Sequence, residues 1–319
     1  RPSRQLPRVG DNLPSTQEHF FMAVDIGAPA RDRAAAALIA AGILWGTGGL
    51  AGSLLADRAG LHPLSVATYR LLLGGALAVA LLAVSGGLRG LPRTRAAGRR
   101  VLVTGGLLGC YQASYFVAVQ HISVSLATMV TIGTLPVFVA LGTAVRDRRK
   151  PGGATMLAIV LAVSGLILLT WSPGGTASGG TLAAGVGTAL LAAAGFSLMT
   201  LITATPVAGL DPLRTTAFGM LTGGLLLTPA ALVSGMALPL RPDVLLTAAY
   251  LGSAPTAIAY TAYFRGLRTA APVLAALAAL LEPLTAALLS AAILGDRLSV
   301  PGWCGAGLLV TALAISYRR

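Results

Sequence analysis

Charge is scarce in this sequence. Only 10% of its 319 residues are Asp, Glu, Lys or Arg, and just 10 of them are acidic. A soluble globular domain is about a quarter charged. A chain this poor in charge cannot cover itself with a wettable surface, so a soluble fold is excluded. Cysteine is nearly missing too. Cys110 and Cys304 lie in separate apolar segments, with no CxxC and no His cluster. That excludes a disulfide framework and a zinc site. There is no GxxxxGK[ST] loop for an ATPase, and neither HExxH nor GxSxG for a hydrolase. No segment alternates in polarity over about ten residues, as a transmembrane β-barrel requires.

What is present is apolar length. Hydrophobic residues make up 55% of the chain. A membrane-crossing helix needs roughly 17–25 mostly apolar residues. Ten runs qualify: 34–55, 63–85, 100–119, 122–145, 153–171, 179–203, 212–234, 243–265, 270–294 and 299–316. The predicted fold class is an all-α integral membrane protein with ten transmembrane helices. Residues 1–33 read as a polar, disordered tail in which Met22 is the expected natural start.

A net charge of +13 is compatible with nucleic-acid binding, but its placement argues otherwise. The basic residues fall in short clusters between apolar runs, such as "RGLPRTRAAGRR" and "RDRRK". That is the pattern of the positive-inside rule, and no soluble domain is long enough to carry a nucleic-acid face. With the N-terminus cytoplasmic, 19 of the 23 Lys and Arg lie inside. Only Arg58, Arg241 and Arg297 lie outside, and Arg70 lies within a helix. The expected location is the plasma membrane, with both termini cytoplasmic.

The chain repeats itself. "LHPLSVATYRLLLGGALAVALLAVSG" (61–86) aligns without a gap on "LDPLRTTAFGMLTGGLLLTPAALVSG" (210–235), with 10 of 26 positions identical. Pro136 echoes Pro283, and Pro151–Gly152 echoes Pro301–Gly302. The repeat is five helices long, covering 34–171 and 179–316. Five is odd, so the second copy is expected to enter the membrane inverted. Inverted repeats build many secondary transporters, which bind their solutes near the midplane where the halves meet.

These segments resemble a known family. "ILWGTGG" in helix 1, "YRLLLGGALA" in helix 2, "SLATMVTIGTLPVFVALGTAVRDR" in helix 4 and above all "AALAALLEPLTAALLSAAILGDRLSVPGWCGAGLLV" in helices 9 and 10 are similar to the EamA-type permeases of the drug/metabolite transporter superfamily. The likeness covers residues 34–316. It implies two inverted five-helix units and a permease, an exporter of small organic metabolites such as amino acids, or of drugs, working by alternating access. The chain departs from the family pattern at "VRDR" (145–148), at Leu135 and at "GFSLMT" (195–200). The competing class is a membrane enzyme or sensor that moves nothing. An enzyme needs several convergent titratable groups, and the spans hold only one acid and one Arg.

Those two charges are Arg70 and Glu282. Each costs about 2.5–3.5 kcal/mol to place in a membrane helix. Arg70 can snorkel outward or serve a site. Glu282 is about 12 residues from either end of its run, beyond reach of the headgroups, and is expected to face a central cavity. There it would carry a proton, pair with a cationic solute, or hold a neighbouring helix. Around it, Trp45, Tyr111, Gln112, Tyr115, Thr131, Tyr260 and Tyr263 are expected to line the solute path. Pro136 and Pro283 are the candidate hinges, since each removes one helical hydrogen bond. The GxxxG spacings, such as Gly105–Gly109 and Gly219–Gly223, read as close helix packing. No cofactor or metal is expected. The expected partners are a small-molecule solute and the lipid bilayer; protons are a candidate coupling ion and a homodimer is compatible.

Overall fold

The structure is a computed structural model that describes residues 30–170, 179–289, 291–292 and 299–318. The tail 1–29 with Met22, the 171–178 connection and the stretch with Asp296 and Arg297 lie outside the described residues. Among the described residues, ten helices are long and apolar enough to cross a membrane. They are α1 (Ala30–Ala59), α2 (Pro63–Val84), α3 (Arg95–His121), α4 (Val124–Asp147) and α5 (Gly153–Thr170). There follow α6 (Gly179–Thr203), α7 (Pro212–Ser234), α8 (Pro242–Leu267), α9 (Pro272–Leu289) and α10 (Val300–Tyr317). No strand occurs among the described residues.

One boundary corrects the sequence reading. Residues 30–33, assigned above to the tail, already belong to α1. Asp32 sits in the first turn, where a carboxylate favours the helix dipole. Tyr317 hydroxyl donates to Asp32, and Arg31 donates to the Tyr317 carbonyl, so the start of α1 and the end of α10 meet at one face.

Local chemistry sets the other ends. Pro63, Pro212, Pro242 and Pro272 each open a helix, where the missing N–H is no loss. Thr94, Ser123, Asp211 and Ser299 accept backbone N–H bonds as N-caps. Arg148 ends α4 at φ 52°, the left-handed turn that stops a helix.

Packing between the halves follows a pattern closed under their exchange. α2 packs on α7, and α5 packs on α10. α3 packs on α6, as α1 packs on α8; α4 packs on α6, as α1 packs on α9. Glycine makes the close approaches. A methyl carbon on Gly105 would lie 2.5 Å from Thr222 Cβ and 2.7 Å from the Gly219 carbonyl oxygen. The Gly105 and Gly219 spacings face one another across the α3–α7 crossing. With lipid outside, such contact rather than water release holds helices together.

Two helices depart from regularity, and both departures position the site. Pro255 has no N–H, so the Leu251 carbonyl loses its helical donor. α8 widens there into a π-helical turn over Ser253–Ile258, and the Thr256 hydroxyl donates to the Leu251 carbonyl at 2.6 Å. α9 breaks at Leu280, between Pro272–Ala279 and Leu281–Leu289. Pro283, which cannot donate to the Ala279 carbonyl, lies three residues past the break.

Candidate functional site: a charged cavity closed at one end

Glu282 lies in the first turn of the second α9 segment, beside the break, where the helix dipole favours a carboxylate. Its side chain lines a cavity of about 430 Å³. The wall comes from the C-terminal halves of α1 and α3, the N-terminal halves of α2 and α4, and α9 after its break. Ser53 and Val124, at the rim, are exposed. The cavity therefore occupies the half of the bundle near the α1–α2 and α3–α4 turns, opposite the face where α1 begins and α10 ends.

Arg70 lines the same cavity. Its Nε donates to Thr256 Oγ1 at 3.0 Å, and an Nη donates to the Pro255 carbonyl at 3.2 Å. Both acceptors belong to the π-helical turn, so one proline in α8 sets the position of a cation on α2. Gly48 lets α1 come close to that turn, since a methyl carbon there would lie 2.8 Å from Pro255 Cβ. Glu282 has no hydrogen-bond or ion-pair partner among the described residues, and Arg70 does not reach it as an ion pair. Gln112, only 4% exposed, lines the cavity without a hydrogen-bond partner as well.

Trp45, Tyr111 and Tyr115 also contribute to the wall. Tyr115 pins α3 to α4 through a 2.8 Å bond to Thr128. Trp45 forms the floor. Its ring lies 5.0 Å from Tyr260, 5.0 Å from Tyr263 and 5.9 Å from Phe196, centroid to centroid. Tyr263 bonds Thr200 on α6 at 2.7 Å. This cluster fills the space between the cavity and the other face.

Three expected wall residues stand elsewhere. Thr131 is fully buried and donates to the Ala189 carbonyl on α6 at 3.2 Å. Thr128 and Ile132 face the cavity instead. Thr131 is three residues past Thr128, a rotation of roughly 300°, which carries it toward α6. Tyr260 and Tyr263 lie beneath the floor, as part of the closing cluster. The π-helical turn ahead of them rotates the rest of α8 relative to a regular helix. The hinge candidates also differ. Pro283 lines the cavity next to a break, whereas Pro136 is buried inside an unbroken α4.

The Pro255 carbonyl and Phe196 escaped the sequence reading. Pro255 within an apolar run signals a freed carbonyl. Phe196 carries no comparable signal, because a lone Phe in a membrane helix is usually core.

The sequence model of the EamA-like transporter family matches residues 33–171 and again 183–318. The chain belongs to the EamA-like transporter family. Among its relatives is the uncharacterized transporter YwfM of Bacillus subtilis, 30% identical over 279 residues, covering 87% of this chain and 91% of the relative. The uncharacterized inner membrane transporter YicL of Salmonella typhimurium is 23% identical over 285 residues, covering 87% and 93%. One solved crystal structure superposes with a TM-score of 0.76 at 20% identity, covering 89% of this chain and 97% of its own, which supports the fold alone. The ten apolar helices of this EamA-like chain make it a multi-pass membrane protein.

Proposed function

We propose that this chain is a secondary transporter, an exporter of small organic metabolites such as amino acids, or of drugs, that works by alternating access in the plasma membrane. One observation carries the reading. A cavity holding a cation and an anion is open toward one face and closed by packed aromatic rings toward the other. A solute-sized space reached from one side only is what alternating access requires of each end state. With both termini cytoplasmic, as the Lys and Arg distribution indicates, this is the outward-open state. A five-helix unit then ends on the side opposite its start, so the second unit runs inverted. The exchange-symmetric packing of α2 with α7 and of α5 with α10 supports that arrangement.

The carboxyl of Glu282 is the group available for coupling to protons. Export would alternate the present state with one in which α8 and α6 part and α3 and α4 close on α1. The break at Leu280 is the natural place for that bend.

Efflux from proteoliposomes tests the reading. Vesicles are loaded in turn with labelled amino acids and with cationic dyes. At least one solute should leave faster than from protein-free vesicles. No accelerated movement of any of them, in either direction, would sink transport and favour a membrane enzyme or sensor.

A further inference from the structure

A second hollow lies at the face opposite the charged cavity, where α4 ends and α5 begins. It encloses about 370 Å³. Its wall comes from the last turns of α4, the turn that follows, the first turn of α5, the start of α9 and the end of α10. Arg149 and Lys150 stand on it, and neither side chain has a partner among the described residues. Asp147 also lines it, but its carboxylate is met by Arg146 at 2.9 Å. Cations therefore dominate this turn.

The other free groups of the wall suit an anion too. Thr143 lines the hollow, and its Oγ1 is buried with no hydrogen-bond partner among the described residues. That departs from the habit of this protein: Thr134, Thr170 and Thr203 each donate to the carbonyl four residues back. The N–H groups of Gly153, Ala154 and Thr155, which open α5, have no acceptor among the described residues. The positive end of the helix dipole lies with them. The positive-inside rule asks for cations at such a turn, but not for a hollow beneath them with a stranded hydroxyl. Beside the wall, α4 turns an apolar stripe outward. Leu141 is 55% exposed and Val145 78%. Each is one residue, about 100°, past a wall residue, Ala140 or Ala144.

We propose that this hollow binds an anionic phospholipid: a phosphate diester headgroup with no ammonium of its own, as in phosphatidylglycerol. The phosphate is received by Arg149, Lys150, the Thr143 hydroxyl and the start of α5, and the acyl chains lie along Leu141 and Val145. Basic hollows between membrane helices are where acidic headgroups bind. A phosphatidylcholine headgroup carries the same phosphate, but its ammonium meets two cations with like charge. Inorganic phosphate has no chain for the apolar stripe. Ala271 and Val273 on the wall belong to the α9 segment that ends at the break, so the lipid contacts both halves of the protein. The site is independent of the transport reading.

Native mass spectrometry of the purified full chain, released from neutral detergent with equimolar phosphatidylglycerol and phosphatidylcholine, tests this. The complex with one phosphatidylglycerol should exceed that with one phosphatidylcholine at least about tenfold, since each basic side chain near an anionic group is worth about fivefold. Replacing both cations, Arg149→Gln with Lys150→Gln, should bring the two lipids within about twofold of each other. Arg93→Gln with Arg95→Gln removes as much charge from another exposed turn of the same face, and should keep the preference. Thr143→Val should lower the phosphatidylglycerol complex severalfold and leave the phosphatidylcholine complex unchanged. The comparison of lipids in the native chain needs no variant, so misfolding of a mutant cannot hide the answer. Equal retention of the two lipids would overturn the proposal. So would equal loss in both double variants, which would mean diffuse surface charge. Displacement of phosphatidylglycerol by millimolar inorganic phosphate would assign the site to a free anion and overturn the lipid.

Discussion

Leu135 in α4 and Glu282 in α9 each stand one residue before a proline, at matching places in the two halves, and their surroundings differ. Leu135 is 3% exposed and packs in the main core. Its carbonyl accepts from Ser197 on α6. Pro136 leaves α4 continuous. Around Glu282 the helix is broken, the side chain borders a cavity, and no partner is fixed among the described residues. The same difference separates α3, which is regular throughout, from α8, which is π-helical at Ser253–Ile258. One half supplies unbroken, well-packed helices. The other supplies the irregular backbone on which both charges depend, although Arg70 itself is on the first. Two copies of a fold can share a packing pattern and still divide the labour, because a site needs only a few residues to depart from symmetry.

Exchanging the residues between the halves tests this division most severely. Leu135→Glu would bury a carboxylate with no partner in a filled core, and should cost several kcal/mol, enough to prevent recovery of folded protein. Size-exclusion profiles and thermal unfolding in detergent would show it. The reciprocal Glu282→Leu should fold with stability changed by less than about 1 kcal/mol, yet lose flux and the binding of amine-bearing solutes, as expected where function is held at the expense of stability. If both exchanges were tolerated equally, the two halves would not differ as described.

Next in size is the crossing between the halves. Gly105→Val forces side-chain atoms onto Thr222 and the Gly219 carbonyl, and should destabilise by about 1–3 kcal/mol. Gly106→Val, one residue on, meets open space and should be close to neutral. A melting temperature equally lowered by both would point to helix propensity instead of packing.

The prolines give a smaller contrast. Pro283→Ala restores an N–H toward Ala279 and should straighten α9, slowing transport roughly tenfold with little loss of stability. Pro136→Ala lies in a helix that already runs through, so its flux should stay within about twofold of the parent. Equal slowing would mean that both halves bend alike.

The smallest expected effect concerns the closed end. Thr200→Val removes the bond to Tyr263 and should cost about 1 kcal/mol. Loosening that end should raise the accessibility of a cysteine placed nearby to reagents added from the terminal face. Unchanged accessibility would show that the aromatic rings alone close it.

The helix content of this protein was legible in its residues. Ten apolar runs separated by Pro, Gly and Arg place the helices within a few residues of where they lie, because in a bilayer each backbone polar group must be satisfied within its own segment. The two intramembrane charges could also be singled out, since a charge in such a run is too costly to be incidental. Which side chains share a space was another matter. Thr131, Tyr260 and Tyr263 have the spacing of a cavity wall, but a rotation of one turn position in α4 and a π-helical turn in α8 place them against neighbouring helices. That Arg70 rests on the Pro255 carbonyl, that Glu282 stands apart from it, and that Phe196 and Trp45 close the floor all depend on contacts between helices far apart in the chain. Hydrophobic length acts within one helix and is written in its own residues. Cavities, unpaired charges and closed ends are properties of the gaps between helices, and only the assembled bundle decides them.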